Sequence, residues 1–582
     1  MAVDRRILYY TLLILSILIA SSLYLSWSVD RGLGTLDVER TGIEIEPGRT
    51  VNFTVYAPRE DYPGPMPIVL TIHGVGGSKE AMYAFNIELA RRDFTVVAID
   101  LAGHGDSSMS FDINNYTRLA EDCYAVLQWV GLNYNNSNPD LYGVVGHSLG
   151  VHVGLAMYNM DVQPKAIVAV GPVWLEDAAS LPGNLLLAVG EFDELIPRGS
   201  LLEVLRTLTG FPDAMAGITY GGFDGDAAYR LVIAPTNHVG EATDALIVVE
   251  SVSWMLQALH GIEEPSHSGI EIQLIYSRKT VAYVVGTVSL WLSLIPLVLL
   301  VVTTLPERVR PKPFSNRTEP MTMGREGLLS STLAMLFVLV YLFTGIAGIM
   351  LERMSIRLSA SMLGTGLALF FVLCPILWIA AMMLIGGTKR TYRSLLAMGY
   401  RKGNMGILVS TVARAIIPAM ICMAWLLAWV ALGGMPGTTS PVTILPLFRF
   451  PNSERMVSIL TMICLTLPFS VSEGIWIRGF LLSERDWGGR VPYARRLVSA
   501  FGVRMVPTLA FAVILIFGST ALGFVVAPLV LLGLLLTYFV ITSAAVSLLV
   551  IFASVELDNP WPAIIIGAFL YAWILVGTLP LV

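Results

Sequence analysis

Charge is what this 582-residue chain has least of. Asp, Glu, Lys and Arg make up only 14% of it, while 55% is hydrophobic. Soluble globular chains carry about 25% charged residues, so a wholly water-exposed protein is excluded and much of the chain is expected in lipid. There is no basic excess either: 37 Lys and Arg face 43 Asp and Glu, a net charge of −6. That excludes the basic face a nucleic-acid binder needs. The four cysteines (Cys123, Cys374, Cys422 and Cys464) lack zinc-site spacing, and only Cys123 lies outside the apolar runs. A disulfide framework is therefore excluded, and no metal or cofactor motif is present. Histidine is missing from the second half, because all seven (His73, His104, His147, His152, His238, His260 and His267) precede residue 268.

What is present divides the chain in three. Residues 1–35 hold Arg5 and Arg6 followed by an apolar run from Ile7 to about Trp27. This is either an uncleaved anchor or a cleaved signal peptide with small residues at Ala20-Ser21-Ser22, and either would export the α/β stretch after it. Residues 36–271 alternate short β-rich runs with helical patterns, as a soluble α/β domain does. Residues 272–582 form an all-α membrane region with apolar runs near Val281–Thr304, Leu328–Met350, Met362–Gly386, Gly406–Gly433, Val457–Phe480, Val498–Ser519, Ala521–Ala553 and Pro562–Val582. Each is long enough to span a bilayer. Alternate connections are basic: Arg308, Arg310, Lys312, Arg317 and Arg325; then Lys389, Arg390, Arg393, Arg401 and Lys402; then Arg485, Arg490, Arg495 and Arg496. The positive-inside rule places these in the cytosol and the α/β domain outside.

The soluble stretch carries Gly146-His147-Ser148-Leu149-Gly150, a G-x-S-x-G pattern between the strand-like Leu141–Val145 and the helix-like Val151–Met160. A sharp strand-to-helix turn there lifts the Ser148 hydroxyl out of the sheet, and the flanking glycines permit the turn. Upstream, Ile68–Ile72 runs into His73-Gly74-Val75-Gly76-Gly77. Such a loop can aim the Val75 N–H at an oxyanion together with the N–H of Leu149. Asp100-Leu-Ala-Gly-His-Gly-Asp-Ser comes after the strand Phe94–Ile99.

His-Gly-x-Gly-Gly, Asp-x-x-Gly-His-Gly-x-Ser and Gly-His-Ser-Leu-Gly, in this order, resemble the α/β-hydrolase superfamily over about Thr50 to His260. The resemblance implies a mostly parallel sheet with flanking helices and a Ser, Asp, His order of catalytic residues. After the strand Asn184–Val189 comes Gly190-Glu191-Phe192-Asp193-Glu194, so Asp193 matches the acid, with Glu191 and Glu194 as alternatives on the same turn. After Arg230–Ala234 comes Pro235-Thr236-Asn237-His238, and His238 matches the base. A serine hydroxyl needs such a base, and Asp193 would fix its tautomer. The remaining histidines are expected to be structural: His147 a contact, His104 and His73 holding loop shape, His152 packing a helix, His260 and His267 near the exit linker. The dozen residues between Ala166–Gly171 and Asn184 leave no room for the family's helical cap, and the glycine-rich Thr209–Tyr229 is a candidate partial lid.

Arg414, Glu473, Arg478 and Arg504 are ionisable residues inside apolar runs, where a charge is costly. They are expected to form a structural ion cluster. Val471-Ser-Glu-Gly-Ile-Trp-Ile-Arg-Gly-Phe also resembles the Glu-Glu-x-x-x-Arg-Gly helix of the CAAX-type intramembrane protease family. Glu473 and Arg478 match, but Gly474 replaces the second Glu, and Leu515, Gly567 and Tyr571 fall where that family has His, His and Asn. The resemblance therefore implies a bundle without proteolytic chemistry. The expected function is a membrane-embedded, extracytoplasmic serine hydrolase cleaving an ester, thioester or amide of an amphiphilic or acylated substrate, with the bilayer as partner. The alternative is a transporter, receptor or scaffold using the hydrolase fold as a binding module.

Overall fold

A computed structural model describes residues 4–581 except 60–63, 109, 135, 174, 176–179, 197, 263–271, 315–320, 359–362, 434–452, 483–492 and 522–526. Arg317, Arg485 and Arg490 and part of the stretch before Asn184 thus lie outside the described residues. Two compact units result. One takes in Ser22–Val284 and the segment from Thr578; the other takes in residues up to Ser21, Val285–Leu432 and the stretch ending at Gly577.

The first unit is built on a nine-stranded sheet, β1 Leu36–Glu46, β2 Arg49–Pro58, β3 Met66–Ile72, β4 Thr95–Ile99, β5 Ser137–His147, β6 Ala166–Val170, β7 Leu185–Gly190, β8 Thr219–Tyr220 and β9 Tyr229–Ala234. Their order is β1-β2-β4-β3-β5-β6-β7-β9-β8, parallel from β4 to β9 and antiparallel at both edges. The central strands β3, β4, β6 and β7 are buried at every position, which is why they read as unbroken apolar runs: a parallel sheet has helices on both faces. β1, at the edge, alternates instead. The crossover helices include α2 Tyr83–Ala90, α3 Tyr116–Asn133 and α4 Leu149–Met157, then α5 Arg198–Thr209 and α6 Ala245–His260. Asn115 starts α3 by accepting the Arg118 N–H at 3.1 Å, and Asp244 starts α6 by accepting those of Leu246 and Ile247 at 2.9 and 3.2 Å, as N-cap side chains do. Within Thr209–Tyr229, the candidate partial lid, β8 pairs with β9 and completes the sheet edge.

The unit is bounded by parts of two long apolar helices, α1 (Arg5–Asp30) and α7 (Tyr276–Thr304). Asp30 and Lys279 form a fully buried ion pair between them, and the Lys279 ammonium lies 5.2 Å from the ring centres of both Tyr83 and Tyr283. Glu88 of α2 caps α7, accepting the Ile275 and Tyr276 N–H groups at 2.6 and 2.9 Å.

The second unit is helical throughout. Among the described residues, eight helices of the chain are long and apolar enough to cross a membrane, including α1 and α7. The others are α8 Met323–Arg353, α9 Gly364–Ala381, α11 Met405–Gly433, α12 Ser453–Trp476, α13 Tyr493–Ala521 and α14 Ala527–Glu556, with the short basic α10 Thr388–Ala397 between α9 and α11. The ninth expected run is a shorter apolar helix, α15 Trp561–Thr578. It stops short of Val582, because Leu581 pairs as an extended residue within the first unit, donating to Gly103 O at 2.9 Å and accepting from Phe111 N at 2.8 Å.

The expected four-residue ion cluster is corrected to a pair. Glu473 and Arg504 are both fully buried and joined at 2.8 Å, with Ser547 and Tyr571 donating to Glu473 at 2.7 and 3.0 Å. The Arg504 guanidinium lies 4.7 Å from the Trp476 ring centre. Arg478 is elsewhere, giving hydrogen bonds of 2.8–2.9 Å to the carbonyls of Ala397, Ser554 and Phe314. Five residues at about 100° each place Arg478 roughly 140° round the helix from Glu473, and the chain there passes into a π-helical turn at Ile477–Leu481. Among the described residues, Arg414 reaches the Arg310 carbonyl at 3.5 Å and no carboxylate.

Removing one partner of a fully buried pair leaves the other charge uncompensated, a loss of about 3–5 kcal/mol. Glu473→Gln should therefore lower the melting temperature of the detergent-solubilised protein by several degrees, whereas Arg414→Gln should leave it nearly unchanged. Equal melting curves for the two variants would remove the Glu473–Arg504 pair from the stabilising contacts.

Candidate active site

Strand ends fix the site. In a parallel sheet, loops at the carboxyl ends of neighbouring strands converge, and here those of β3, β4, β5, β7 and β9 carry His73, Asp100, Ser148, Asp193 and His238. Ser148 itself sits at φ +53° and ψ −114°, a left-handed conformation that a non-glycine residue adopts only when its surroundings impose it. The surroundings are backbone. A Cβ on Gly146 would lie 2.4 Å from Gly150 O, and one on Gly150 would lie 2.1 Å from Ile72 O. Both glycines are thus required by close approach of β5, α4 and β3. Ser148 N–H is held by Val170 O at 2.8 Å.

His238 Nδ1 lies 2.8 Å from Asp193 Oδ2, an arrangement that puts the ring hydrogen on Nδ1 and leaves Nε2 as the free base. Asp193 is oriented by the Leu195 and Ile196 N–H groups, at 2.6 and 2.9 Å from Oδ1. Burial works against its charge, but the hydrogen bond and charge of His238, with a hydrogen bond from Glu241, hold the carboxyl below its ordinary range. The neighbouring acids have other tasks. Glu194 accepts from His238 N and Asn237 Nδ2, each at 3.2 Å, and Glu191 is exposed. Ser148 and His238 flank one strand end: Val170 holds Ser148, and a Cβ on the next residue, Gly171, would lie 2.9 Å from His238 Cε1. The Ser148 hydroxyl makes no hydrogen bond to His238 among the described residues, a gap that is common in unliganded sites.

Leu149 opens α4, so its N–H is one of the first-turn donors without an intrahelical acceptor. Neither it nor the Val75 N–H is hydrogen-bonded among the described residues. The next N–H, of Gly76, is taken by His104 Nε2 at 3.2 Å. His73 accepts from Leu101 N at 3.2 Å and donates from Nδ1 to Gly74 O at 2.8 Å. The two rings thereby tie the 73–77 loop to the 100–107 loop. The buried Lys79 does the same by pairing with Asp100, and with Asp106 at 2.8 Å. His147 donates from Nε2 to His238 O at 3.0 Å; burial, then the neighbouring His238, push its pKa down to about 3, so it stays neutral. His152 stacks on Tyr116 at 5.0 Å.

Two residues here escape a reading of motifs. Lys79 is a charge two residues beyond the glycine loop, and Glu241 lies three residues after His238. Glu241 is fully buried and accepts the Gly190 N–H at 2.5 Å, with Oε2 3.4 Å from His238 Nδ1 and 3.6 Å from His147 Nε2. Donor atoms of His147, His238 and Glu241 lie within 4.8 Å of one another, but the ring hydrogens facing Glu241 already have acceptors in Asp193 and the His238 carbonyl.

Known proteins resemble this unit. The dihydrolipoyllysine-residue acetyltransferase component of the acetoin cleaving system of Cupriavidus necator is 34% identical over 115 residues, 19% of this chain. The match spans only 28% of that relative's length. An esterase of Pyrococcus furiosus aligns over 39% of this chain and 96% of its own, at 15% identity and a TM-score of 0.31. The thioesterase domain from the curacin biosynthetic pathway aligns over 37% of this chain and 99% of its own, at 14% identity and a TM-score of 0.27. Residues 69–304 match the model of the alpha/beta hydrolase family, and with the sheet order and the turn at Ser148 this makes the N-terminal domain a member of the α/β-hydrolase superfamily.

Proposed function

We propose that the protein is a membrane-embedded serine hydrolase, with Ser148 as nucleophile, His238 as base and Asp193 as its orienting acid. The observation that carries the reading is the 2.8 Å Asp193–His238 contact beside a serine held at φ +53°. In this reading His238 Nε2 takes the Ser148 proton as Oγ attacks the substrate carbonyl. The Val75 and Leu149 N–H groups receive the oxyanion. The leaving group departs with the proton from His238, and water then releases the acyl group from Ser148 by the same steps in reverse order.

The apolar helices support membrane embedding, and the basic loops support an extracytoplasmic catalytic domain. Two site loops also present apolar side chains to solvent: Phe192, beside Asp193, is 59% exposed and Val239, beside His238, is 44% exposed. Together with a membrane location these favour an amphiphilic substrate such as an acyl lipid, a lipidated protein or an apolar ester. Proline within α7, α9, α11, α12 and α13 leaves room for a second reading, a transporter or receptor with the domain as binding module, since broken helices line transport paths. A fluorophosphonate probe separates the two.

Three results are expected. Ser148→Ala should abolish fluorophosphonate labelling and lower ester turnover by roughly 10⁴-fold or more, with Asp193→Asn clearly damaging and Glu191→Gln mild. Undiminished labelling of Ser148→Ala would discard the nucleophile. In a p-nitrophenyl ester series, kcat/KM should rise with acyl length, each buried methylene contributing at most about 0.8 kcal/mol; a flat profile from acetate to decanoate would argue against an amphiphilic substrate. Protease added to intact cells should cut the exposed 210–226 segment, and cleavage confined to inside-out vesicles would reverse the orientation.

A further inference from the structure

We propose that Glu241 is a positioning residue of this site: a carboxylic acid that keeps its proton and shares it with Asp193, so that His238 faces one carboxylate rather than two. This rests on the triad reading and adds to it a control by pH.

The supply of hydrogens around Glu241 is short by one. Oε1 of Glu241 takes the Gly190 N–H at 2.5 Å. Oε2 lies beside two ring nitrogens, but the His238 Nδ1 hydrogen goes to Asp193 Oδ2 and the His147 Nε2 hydrogen goes to the His238 carbonyl. Among the described residues no donor reaches Oε2, although the atom is buried. A buried carboxylate oxygen without a donor is strongly unfavourable. An O–H at the same place has an acceptor beside it, because Asp193 Oδ2 and Glu241 Oε2 lie 2.8 and 3.4 Å from the same His238 Nδ1. On the Gly171 side the backbone packs directly against the carboxyl, since a Cβ there would lie 2.2 Å from Oε2.

Electrostatics agree with the geometry. The ionisable groups facing Glu241 are Asp193, Glu194, His238 and His147. Burial first, and then the Asp193 charge, hold the Glu241 carboxyl well above its ordinary range. Two carboxyl groups in contact cannot both ionise cheaply and share a proton. Asp193 is the one oriented by two backbone N–H groups and the imidazole, so Asp193 carries the charge and Glu241 the proton. When Glu241 ionises, the shared hydrogen bond is lost and a second negative charge appears on the Nδ1 side of the base. Turnover then falls.

The same shift sets the sign for stability. A carboxyl whose folded pKa is raised contributes stability that is complete below its unfolded pKa and is lost as pH rises towards the folded value. Wild-type protein should therefore lose melting temperature as pH climbs above the ordinary carboxylate range. In Glu241→Gln the amide N–H₂ can donate to Asp193 and the amide oxygen can accept from Gly190, and nothing titrates.

The test uses full-length protein in detergent with p-nitrophenyl butyrate. Glu241→Leu should lower kcat roughly tenfold to a hundredfold, the range for losing a hydrogen bond to a charged group, with KM little changed. Glu241→Gln should restore most of that loss, abolish the descending alkaline limb of the kcat profile and flatten melting temperature against pH. Wild-type kcat in Glu241→Leu, or an alkaline limb and a pH-dependent melting temperature retained in Glu241→Gln, would overturn the assignment. If Glu241→Leu does not fold, the two pH curves of Glu241→Gln decide alone. Ser148→Ala is measured alongside: if it loses turnover while the Glu241 variants behave as wild type, only the Glu241 assignment falls. If Ser148→Ala keeps turnover, both fall.

Discussion

The close approach of backbone to backbone around Ser148 is the constraint on which the rest of the α/β unit depends. β5 ends against β3 on one side and β6 on the other, and the chain must reverse into α4 without leaving room for a side chain at Gly146 or Gly150. Val170 of β6 supplies the acceptor for Ser148 N–H, and β3 supplies the glycine loop that faces it. A Cβ on Gly74 would lie 3.0 Å from Ser148 Cβ. The strained serine is therefore held by three strands at once, which is what lets a residue with φ +53° persist.

A second consequence of dense packing is an excess of acids around one histidine. Asp193, Glu194 and Glu241 all approach His238, and each meets a different hydrogen: the Nδ1 hydrogen, the backbone N–H and none. Asp193 and Glu241 are both carboxyl groups, yet burial and hydrogen bonding move them in opposite directions. Hydrogen-bond supply, rather than residue type, separates a charged acid from a neutral one.

The parallel strands were legible because burial on both faces writes itself as continuous apolar runs, and the site loops were legible because glycine has few substitutes where backbones touch. Ser148, Asp193 and His238 stood at strand ends that the sequence marks plainly. Glu241 was not legible, since its partners Gly190 and His147 come from the ends of β7 and β5 and no local pattern announces them. Lys79 was hidden for the same reason: its partner Asp100 ends another strand. In the helical unit, apolar length predicted the helices, but the pairing of Glu473 with Arg504 instead of Arg478 depended on α13 bringing Arg504 to α12, which composition does not encode. Thr209–Tyr229 read as a lid because glycine density marks irregular chain, yet a two-residue strand at Thr219–Tyr220 sufficed to place it on the sheet edge.

The borders of the α/β unit obey another logic. Asp30 and Lys279 lie at the inner ends of two apolar helices, and each would be a poor neighbour for lipid alone. Paired and enclosed by Tyr83 and Tyr283, they hold the end of α1 to the start of α7. A buried pair of this kind adds little net stability over an apolar contact, but separating its members is costly, so it selects which helices meet. Glu88 adds direction by capping α7 while holding Arg91 and Arg92 at 2.9 and 3.0 Å. Leu581 makes a third attachment, since its backbone pairs with Gly103 and Phe111. Gly103 precedes His104, whose ring contacts Phe111 at 4.8 Å and accepts the Gly76 N–H. The loop that carries the Val75 donor is thus braced through one histidine by residues from the far end of the sequence. Its geometry is a property of the whole chain rather than of the hydrolase motif alone.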